Sequence, residues 1–277
     1  MQKDSRNDSV GKSVRLVQIT DSHLYRHPDG ALLGLNTRDS FDRVVDLIAA
    51  QHQNRHIDLI IGTGDIAQDA AAQSYHQFAT GVSRLAAPFY WVPGNHDRRA
   101  VMLSLGEYQS AFQTRVVHRN WQILLLDTSV AGEVHGFLSA DELARLEQQL
   151  SDLTDGVQHT MVCLHHNPVP GTAGWMSEIG LHNADALLAI LSRHRQSVRA
   201  VVYGHIHQEL DFVSDDLRFI CTPSTCIQFK PHVEDFTLDL LAPAYRWFDL
   251  YDNGHLETAV ERLRNYVVNV DLNAGGY

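Results

Sequence analysis

Cysteine is scarce in this 277-residue sequence: Cys163, Cys221 and Cys226 are the only three, with no paired metal-binding or redox spacing among them. That excludes a disulfide framework and points to a reducing compartment. Long apolar runs are absent too. Nothing approaches the roughly 20 residues of a membrane span, and Met1 to Lys12 lacks the apolar stretch of a secretory signal. A cytoplasmic protein with no membrane partner is expected. Basic residues are few, 22 Lys and Arg against 33 Asp and Glu, for a net charge of −11. This balance argues against a protein that coats nucleic acid or an anionic membrane. Internal repeats and low-complexity tracts are also missing. Residues 1–12 are polar with nothing to bury and are expected to form a disordered leader. Residues 13–277 are of a length that forms a single α/β domain with one large core. What is abundant is histidine, at 17 residues, the commonest metal ligand and a neutral-pH acid or base.

Short β-branched or apolar runs alternate with helical patterns. Val14 to Thr20, Asp58 to Ile61, Phe89 to Val92, Ile123 to Leu126, His159 to Leu164 and Val198 to Tyr203 read as buried strands. Thr37 is expected to cap a helix through Phe41, Val44, Val45 and Ile48. A second helix is expected from about Ala71 to Leu85. Ser139 with Glu142 forms a capping box before Leu143, Leu146 and Leu150, and Asn183 starts a helix through Leu187, Leu188 and Leu191. From Leu210 onward short strands are expected, with Asn253-Gly254 marking a hairpin.

Five of these strands end in polar clusters: Asp21-Ser22-His23, Gly64-Asp65, Gly94-Asn95-His96-Asp97, His165-His166 and Gly204-His205-Ile206-His207. The carboxyl ends of strands in open α/β sheets are where loops converge over a rigid edge and build ligand sites. Carboxylate, amide oxygen and imidazole without thiolate suit divalent Mn, Fe or Zn. Each cluster alone has an ordinary explanation. Asp and Asn favour turns, and Gly-His-x-His can be two surface histidines on an edge strand. Both imidazoles of that motif nevertheless point to one side if the segment is extended, and the occurrence of all the clusters at strand ends favours one site. By the same alternation, His166 should point away from whatever His165 binds.

This ordered series resembles the calcineurin-like metallophosphoesterase superfamily. The segments Gln18 to Leu24, Trp121 to Asp127, Gly204 to Asp211 and Thr222 to Leu240 resemble, within it, the bacterial class III cyclic AMP phosphodiesterases. The resemblance implies a four-layer αββα sandwich of two mixed sheets, with residues 13–277 as one metallophosphoesterase catalytic domain. It implies one divalent ion held by Asp21, His23, Asp65 and His207, and another held by Asp65, Asn95, His165 and His205. Fe²⁺ or Mn²⁺ is favoured, with Zn²⁺ the further candidate. Purple acid phosphatases place a tyrosine where this chain has Gln68, which argues against a tyrosinate-ferric centre.

The implied activity is hydrolysis of 3′,5′-cyclic AMP to 5′-AMP, which lowers intracellular cyclic AMP. A water activated between the two ions would attack phosphorus in line with O3′. The implied catalytic residues are His96, which stabilises the phosphoryl group and protonates the leaving oxygen, and the bridging Asp65. Asp97 is expected to orient neighbours rather than act as an acid. Substrate contacts are expected from His23, Asp65, Asn95, His96 and His207, with Trp175 stacking on adenine from the Gly- and Pro-rich stretch 168–182. The run Pro223 to Cys226 is a further candidate for the pocket wall. Two alternatives stand beside this reading. One is a broad-specificity metallophosphodiesterase acting on other cyclic or small-alcohol diesters. The other is a non-catalytic scaffold on the same fold. A nuclease is disfavoured because no basic tract exists to track a polyanion.

Overall fold

The computed structural model describes residues 13–276; the expected leader, residues 1–12, and Tyr277 lie outside them. In chain order the strands begin with β1 (Ser13–Ile19), a hairpin of β2 (Ala31–Leu32) and β3 (Leu35–Asn36), β4 (Leu59–Thr63) and β5 (Phe89–Val92). Next come β6 (Arg115–His118), β7 (Trp121–Leu125), β8 (His159–Cys163), β9 (Val198–Tyr203), β10 (Leu210–Ser214) and β11 (Leu217–Cys221). A small hairpin of β12 (Gln228–Phe229) and β13 (Leu238–Asp239) precedes β14 (Ala244–Tyr251) and β15 (Leu256–Arg262). The helices are α1 (Thr37–Gln51), α2 (Ala72–Ser83), α3 (Arg99–Ser104), α4 (Ala140–Ser151) and α5 (Ala184–Arg193).

One sheet has the order β15-β14-β1-β4-β5, the other β10-β11-β9-β8-β7-β6. Both are mixed. In the first, β1, β4 and β5 pair in parallel while β14 lies antiparallel to β1 and β15. In the second, β7, β8, β9 and β11 run in parallel between antiparallel edges β6 and β10.

Strand alternation sorts the side chains into three cores. From β1, Val14 and Leu16 meet Ile61, Ile123, Met161 and Val202 between the sheets. Val17 and Ile19 point the other way, onto Phe41, Val44 and Ile48 of α1 and Phe78 of α2. On the far side, Leu124, Val162 and Val201 pack against Leu146 of α4 and Leu187 and Leu191 of α5. Three cores between four layers are the αββα sandwich expected from the resemblance. The central strands are largely buried on both faces, which is why they read as mostly apolar runs rather than alternating ones.

Local capping departs from expectation. Asn36, not Thr37, caps α1, its side chain accepting from Asp39 N. Ser139 accepts from Glu142 N at 3.1 Å, but the Glu142 carboxylate turns to Asp127 N and Arg145, so the capping box is half formed. Asn183 stands at the start of α5 as expected, but both its side-chain atoms bind Leu138 N and O, so it gives the helix no side-chain cap. The Asn253-Gly254 turn does join β14 to β15, with Gly254 at φ +83°.

A buried ion pair ties β14 to β1. Asp249 accepts from Arg15 Nη2 at 2.9 Å and from Arg55, with Arg15 stacked 4.0 Å over Trp247. Asp249→Ala strands the Arg15 charge, and an urea unfolding midpoint should report a loss of about 3 kcal/mol. A loss below about 1 kcal/mol would mean that water already compensates Arg15.

Candidate metal centre

The loops leaving β1, β4, β5, β8 and β9 meet at one end of the sandwich. Their backbones keep pairing after the strands end: Asp21 N donates to Gly64 O (3.0 Å) and His23 N to Asp65 O (2.9 Å). This ladder holds side chains that the backbone alone would not place there. Asp21, His23, Asp65, His205 and His207 all have φ between +45° and +68°, a left-handed conformation that costs non-glycine residues about 1 kcal/mol or more each. Gly94 lies so close that a Cβ there would overlap the Asp65 carboxylate, and one at Gly204 would overlap Thr20 and Asp21. Glycine at these positions lets two loops close on the carboxylates.

All seven expected ligands are brought together. Asp21, His23 and His165 are fully buried, and Asp65, His205 and His207 nearly so; Asn95 is half-buried. Four imidazoles each spend one nitrogen on an outward acceptor. His165 Nδ1 donates to Thr63 O (2.8 Å), His207 Nδ1 to Ile227 O (2.9 Å), His205 Nε2 to Ile179 O (2.9 Å) and His23 Nδ1 to Gln68 Oε1 (2.5 Å). Such bonds fix the tautomer, leaving the other nitrogen as an inward acceptor. Those inward nitrogens face each other in two pairs: His23 Nε2 to His207 Nε2 at 3.2 Å, and His165 Nε2 to His205 Nδ1 at 3.1 Å.

Asp65 stands between the pairs, Oδ2 3.4 Å from His165 Nε2 and 3.8 Å from His23 Nε2. Asp21 Oδ1 lies 3.4 Å from His207 Nε2, and Asn95 Oδ1 3.1 Å from His165 Nε2. At such distances a cation seated beside each pair could take both inward nitrogens as ligands. The residues therefore fit two cations, with Asp65 common to both sets.

The electrostatics of the side chains agree. Burial opposes charge on Asp65, but His165 and His96 hold its pKa well below the carboxylate range; Asp21 is likewise lowered against burial by His207 and His165. Burial pushes His23 and His205 down to about 3, so both are neutral donors of electron pairs. At His165 burial is outweighed by Asp65 and Asp21, and the pKa rises to about 9. A buried site that draws a proton onto an imidazole between two carboxylates is one that attracts positive charge.

His166 packs behind the ligands, its ring 4.6 Å from that of His205 and 4.8 Å from that of His165. Its Nε2 donates to Val134 O (3.1 Å) and its Nδ1 meets Thr128 Oγ1 (2.7 Å), so both nitrogens are engaged elsewhere. Asp97 accepts from Ile66 N, Ala67 N and Gly94 N. It thereby locks the loops carrying Asp65 and Asn95, although burial and the Asp65 charge raise its pKa to about 7. His96 N donates to Asp65 Oδ1 (2.9 Å) and its ring sits edge-on to His23 at 5.0 Å.

A cavity of about 310 Å³ opens above the centre, lined by Asp65, Asn95, His96 and His205 on its floor and by Trp175, Phe229 and Phe236 on its wall. Trp175 packs edge-on against both phenylalanines at 5.1 Å. Met176 beside it is in the core. His23 does not line this cavity, and His207 opens onto a neighbouring one with Gln208 and Gln228. The expected pocket wall at Pro223 to Cys226 is instead buried beneath Asp21, whose carbonyl accepts from Ser224 Oγ at 2.7 Å. These residues support the metal loop and cannot reach the cavity. Cys226 lies near His23 and His207; burial pushes its thiol up to about 12, and its Sγ donates to the Asp21 carbonyl at 3.4 Å. The sequence did not single out Phe229, which stacks on His207 at 4.2 Å, or Phe236; the available signal was an aromatic pair at the end of β12 and in the loop before β13.

Comparison with known proteins places the chain in context. The family model described as calcineurin-like phosphoesterase matches residues 14–209. The chain is 41% identical over 277 residues to the 3′,5′-cyclic adenosine monophosphate phosphodiesterase CpdA of Pseudomonas aeruginosa, covering 100% of both. Among solved structures, a dimetal phosphatase from Danio rerio superposes with TM-score 0.65 at 17% identity, covering 93% of this chain and 99% of that one. GAP50, the anchor in the inner membrane complex of Plasmodium, superposes with TM-score 0.63 at 13% identity, covering 94% and 89%. The fold thus serves both a phosphatase and an anchor, and the side chains at the site must decide between them.

Proposed function

The chain belongs to the calcineurin-like phosphoesterase family, and from that membership we propose that it hydrolyses 3′,5′-cyclic AMP to 5′-AMP at the centre built around Asp65. The observation that carries this reading is the place of Asp65 between two facing imidazole pairs, under a cavity with an aromatic wall. A scaffold has no use for that arrangement. The full-length likeness to a cyclic AMP phosphodiesterase supports the choice of substrate.

Asp21, His23, Asp65 and His207 would hold one divalent cation, and Asp65, Asn95, His165 and His205 the other, Fe²⁺ or Mn²⁺ by the hardness of the donors. When bound, such ions supply Lewis-acid charge to the phosphate and lower the pKa of water. The chain's own residues do the rest. Trp175, Phe229 and Phe236 offer the purine an apolar face, and at about 310 Å³ the cavity suits a single nucleotide. His96 lines the same cavity beside Asp65 and Asn95. From there a ring nitrogen can deliver a proton to O3′ as its bond to phosphorus breaks. Gln68 and the carbonyls of Thr63, Ile179 and Ile227 keep the imidazole tautomers fixed while this happens. A substrate that is an intracellular second messenger supports a cytoplasmic location.

The test is product analysis after incubating Mn²⁺-loaded protein with cyclic AMP, cyclic GMP and bis(p-nitrophenyl) phosphate. We expect 5′-AMP from cyclic AMP, with 3′-AMP absent. Equal kcat/KM on all three substrates would replace this reading with that of a broad phosphodiesterase, and no turnover of any would restore the scaffold.

A further inference from the structure

A second and larger cavity, of about 540 Å³, shares Asn95 and His96 with the first but extends in another direction, between α3 and the turn 129–132. Cyclic AMP gives it no role, since both ester oxygens of a cyclic nucleotide belong to one sugar and one pocket suffices. An acyclic phosphodiester is different. Its phosphorus carries two arms, and a phosphate seated at Asn95 and His96 would send one arm into each cavity.

The lining of the second cavity says what kind of arm fits. Leu103, Val130 and Ala131 supply apolar surface for a sugar or base. Three charged side chains border it, and two are already compensated. Asp97 turns its carboxylate into three backbone amides, and Arg99 Nε pairs with Asp127 Oδ2 at 2.9 Å. Arg98 is exposed, lines the cavity, and has no acidic partner among the described residues. Its backbone is held by Tyr75, whose hydroxyl oxygen accepts from Arg98 N at 2.9 Å. In a chain of net charge −11, an uncompensated guanidinium at the mouth of a cavity beside the reaction centre is a specific attraction for a phosphate.

We propose that this groove is a leaving-arm subsite, and that the enzyme also cleaves short acyclic phosphodiesters whose leaving nucleoside bears a terminal phosphate, which Arg98 binds. The inference rests on the phosphodiesterase reading above and extends it from cyclic nucleotides to 5′-phosphorylated dinucleotides. The chemistry is the same. Water oxygen bonds to phosphorus and gives up a proton to solvent, the P–O3′ bond breaks, and O3′ takes a proton from His96. A 5′-phosphorylated diadenylate plus one water thus yields two molecules of 5′-AMP. A single arginine meets one terminal phosphate and offers nothing to a long strand, so the preference is for dinucleotides over polymers.

The experiment uses the full-length Mn²⁺-loaded protein with three substrates, cyclic AMP, 5′-phosphorylated diadenylate (pApA) and its unphosphorylated counterpart (ApA). Wild type should cleave pApA with kcat/KM about 10-fold or more above ApA, and Arg98→Ala should erase that advantage while cyclic AMP turnover stays within about twofold. Arg98→Lys, which keeps the charge, should recover part of it. Turnover of cyclic AMP without turnover of pApA overturns this inference alone. So does a pApA rate unaffected by Arg98→Ala, or a loss that falls equally on cyclic AMP. Failure of wild type on both cyclic AMP and pApA overturns the phosphodiesterase reading as well, whereas Arg98-dependent cleavage of pApA without cyclic AMP turnover upholds the subsite and removes only the cyclic substrate.

Discussion

Asp65→Ala is expected to remove both cations together and to lower cyclic AMP turnover by about 10³-fold or more, since bound metal contributes several kcal/mol at roughly 1.4 kcal/mol per decade. The cause is the position of one carboxylate between two imidazole pairs, within 3.4 Å of His165 and 3.8 Å of His23. Asp21 Oδ1 also lies 3.4 Å from His207 Nε2 and 4.0 Å from His165, but it meets the outward Nδ1 of His165, whereas Asp65 Oδ2 meets the inward nitrogens of His165 and His23. Asp65 Oδ1 also accepts from His96 N, so the substitution loosens the loop carrying Asn95 as well. Asp65→Asn keeps the shape and one oxygen but forfeits the charge, and should retain more metal than the alanine variant. Elemental analysis of dialysed protein, with circular dichroism to confirm the fold, checks this. Loss of one ion with retention of the other would show that Asp65 belongs to a single site.

His96→Ala should behave differently, keeping the fold and both ions while cyclic AMP hydrolysis falls by about 10²-fold or more, the range for loss of a general acid. The ring is half-buried at the cavity edge, and its backbone bond to Asp65 survives the change. The diagnostic is leaving-group dependence. An alkoxide such as O3′ needs a proton to depart, whereas p-nitrophenoxide does not. The deficit on bis(p-nitrophenyl) phosphate should therefore be much smaller than on cyclic AMP. Equal losses on both substrates would move His96 from proton delivery to phosphate positioning, and near wild-type rates on both would remove it from the mechanism.

Why the ligands were legible while their supports were not follows from the physics of each. Strands buried on both faces are mostly apolar, so Asp21, Asp65, Asn95, His165 and His205 stand out as metal-ligating types just past each run, even though Arg15 and Gln18 interrupt β1 and Thr63 ends β4. The edge strand β6 has half-buried and exposed positions and shows no such contrast with its surroundings. Helix α3, at six residues, is too short for a 3.6-residue period to register. The carbonyls of Thr63, Ile179 and Ile227 orient three of the imidazoles, yet a backbone acceptor leaves no trace in side-chain identity. Gln68 was visible only as a residue that is not tyrosine; its bond to His23 Nδ1 depends on the β1 and β4 loops running side by side. At α1 two good capping residues adjoin, Asn36 and Thr37, and the β2–β3 hairpin, which ends at Asn36, decides between them.

The claim on which all of this depends is that the imidazole pairs His23–His207 and His165–His205 each face a cation, with Asp65 common to both. Crystals of the full-length protein equilibrated with Mn²⁺ and measured where manganese scatters anomalously would test it without reference to activity. Two anomalous peaks are expected, one beside each pair, with the Asp65 carboxylate between them. A single peak, or peaks confined to surface histidines such as the stacked His135 and His182, would contradict it.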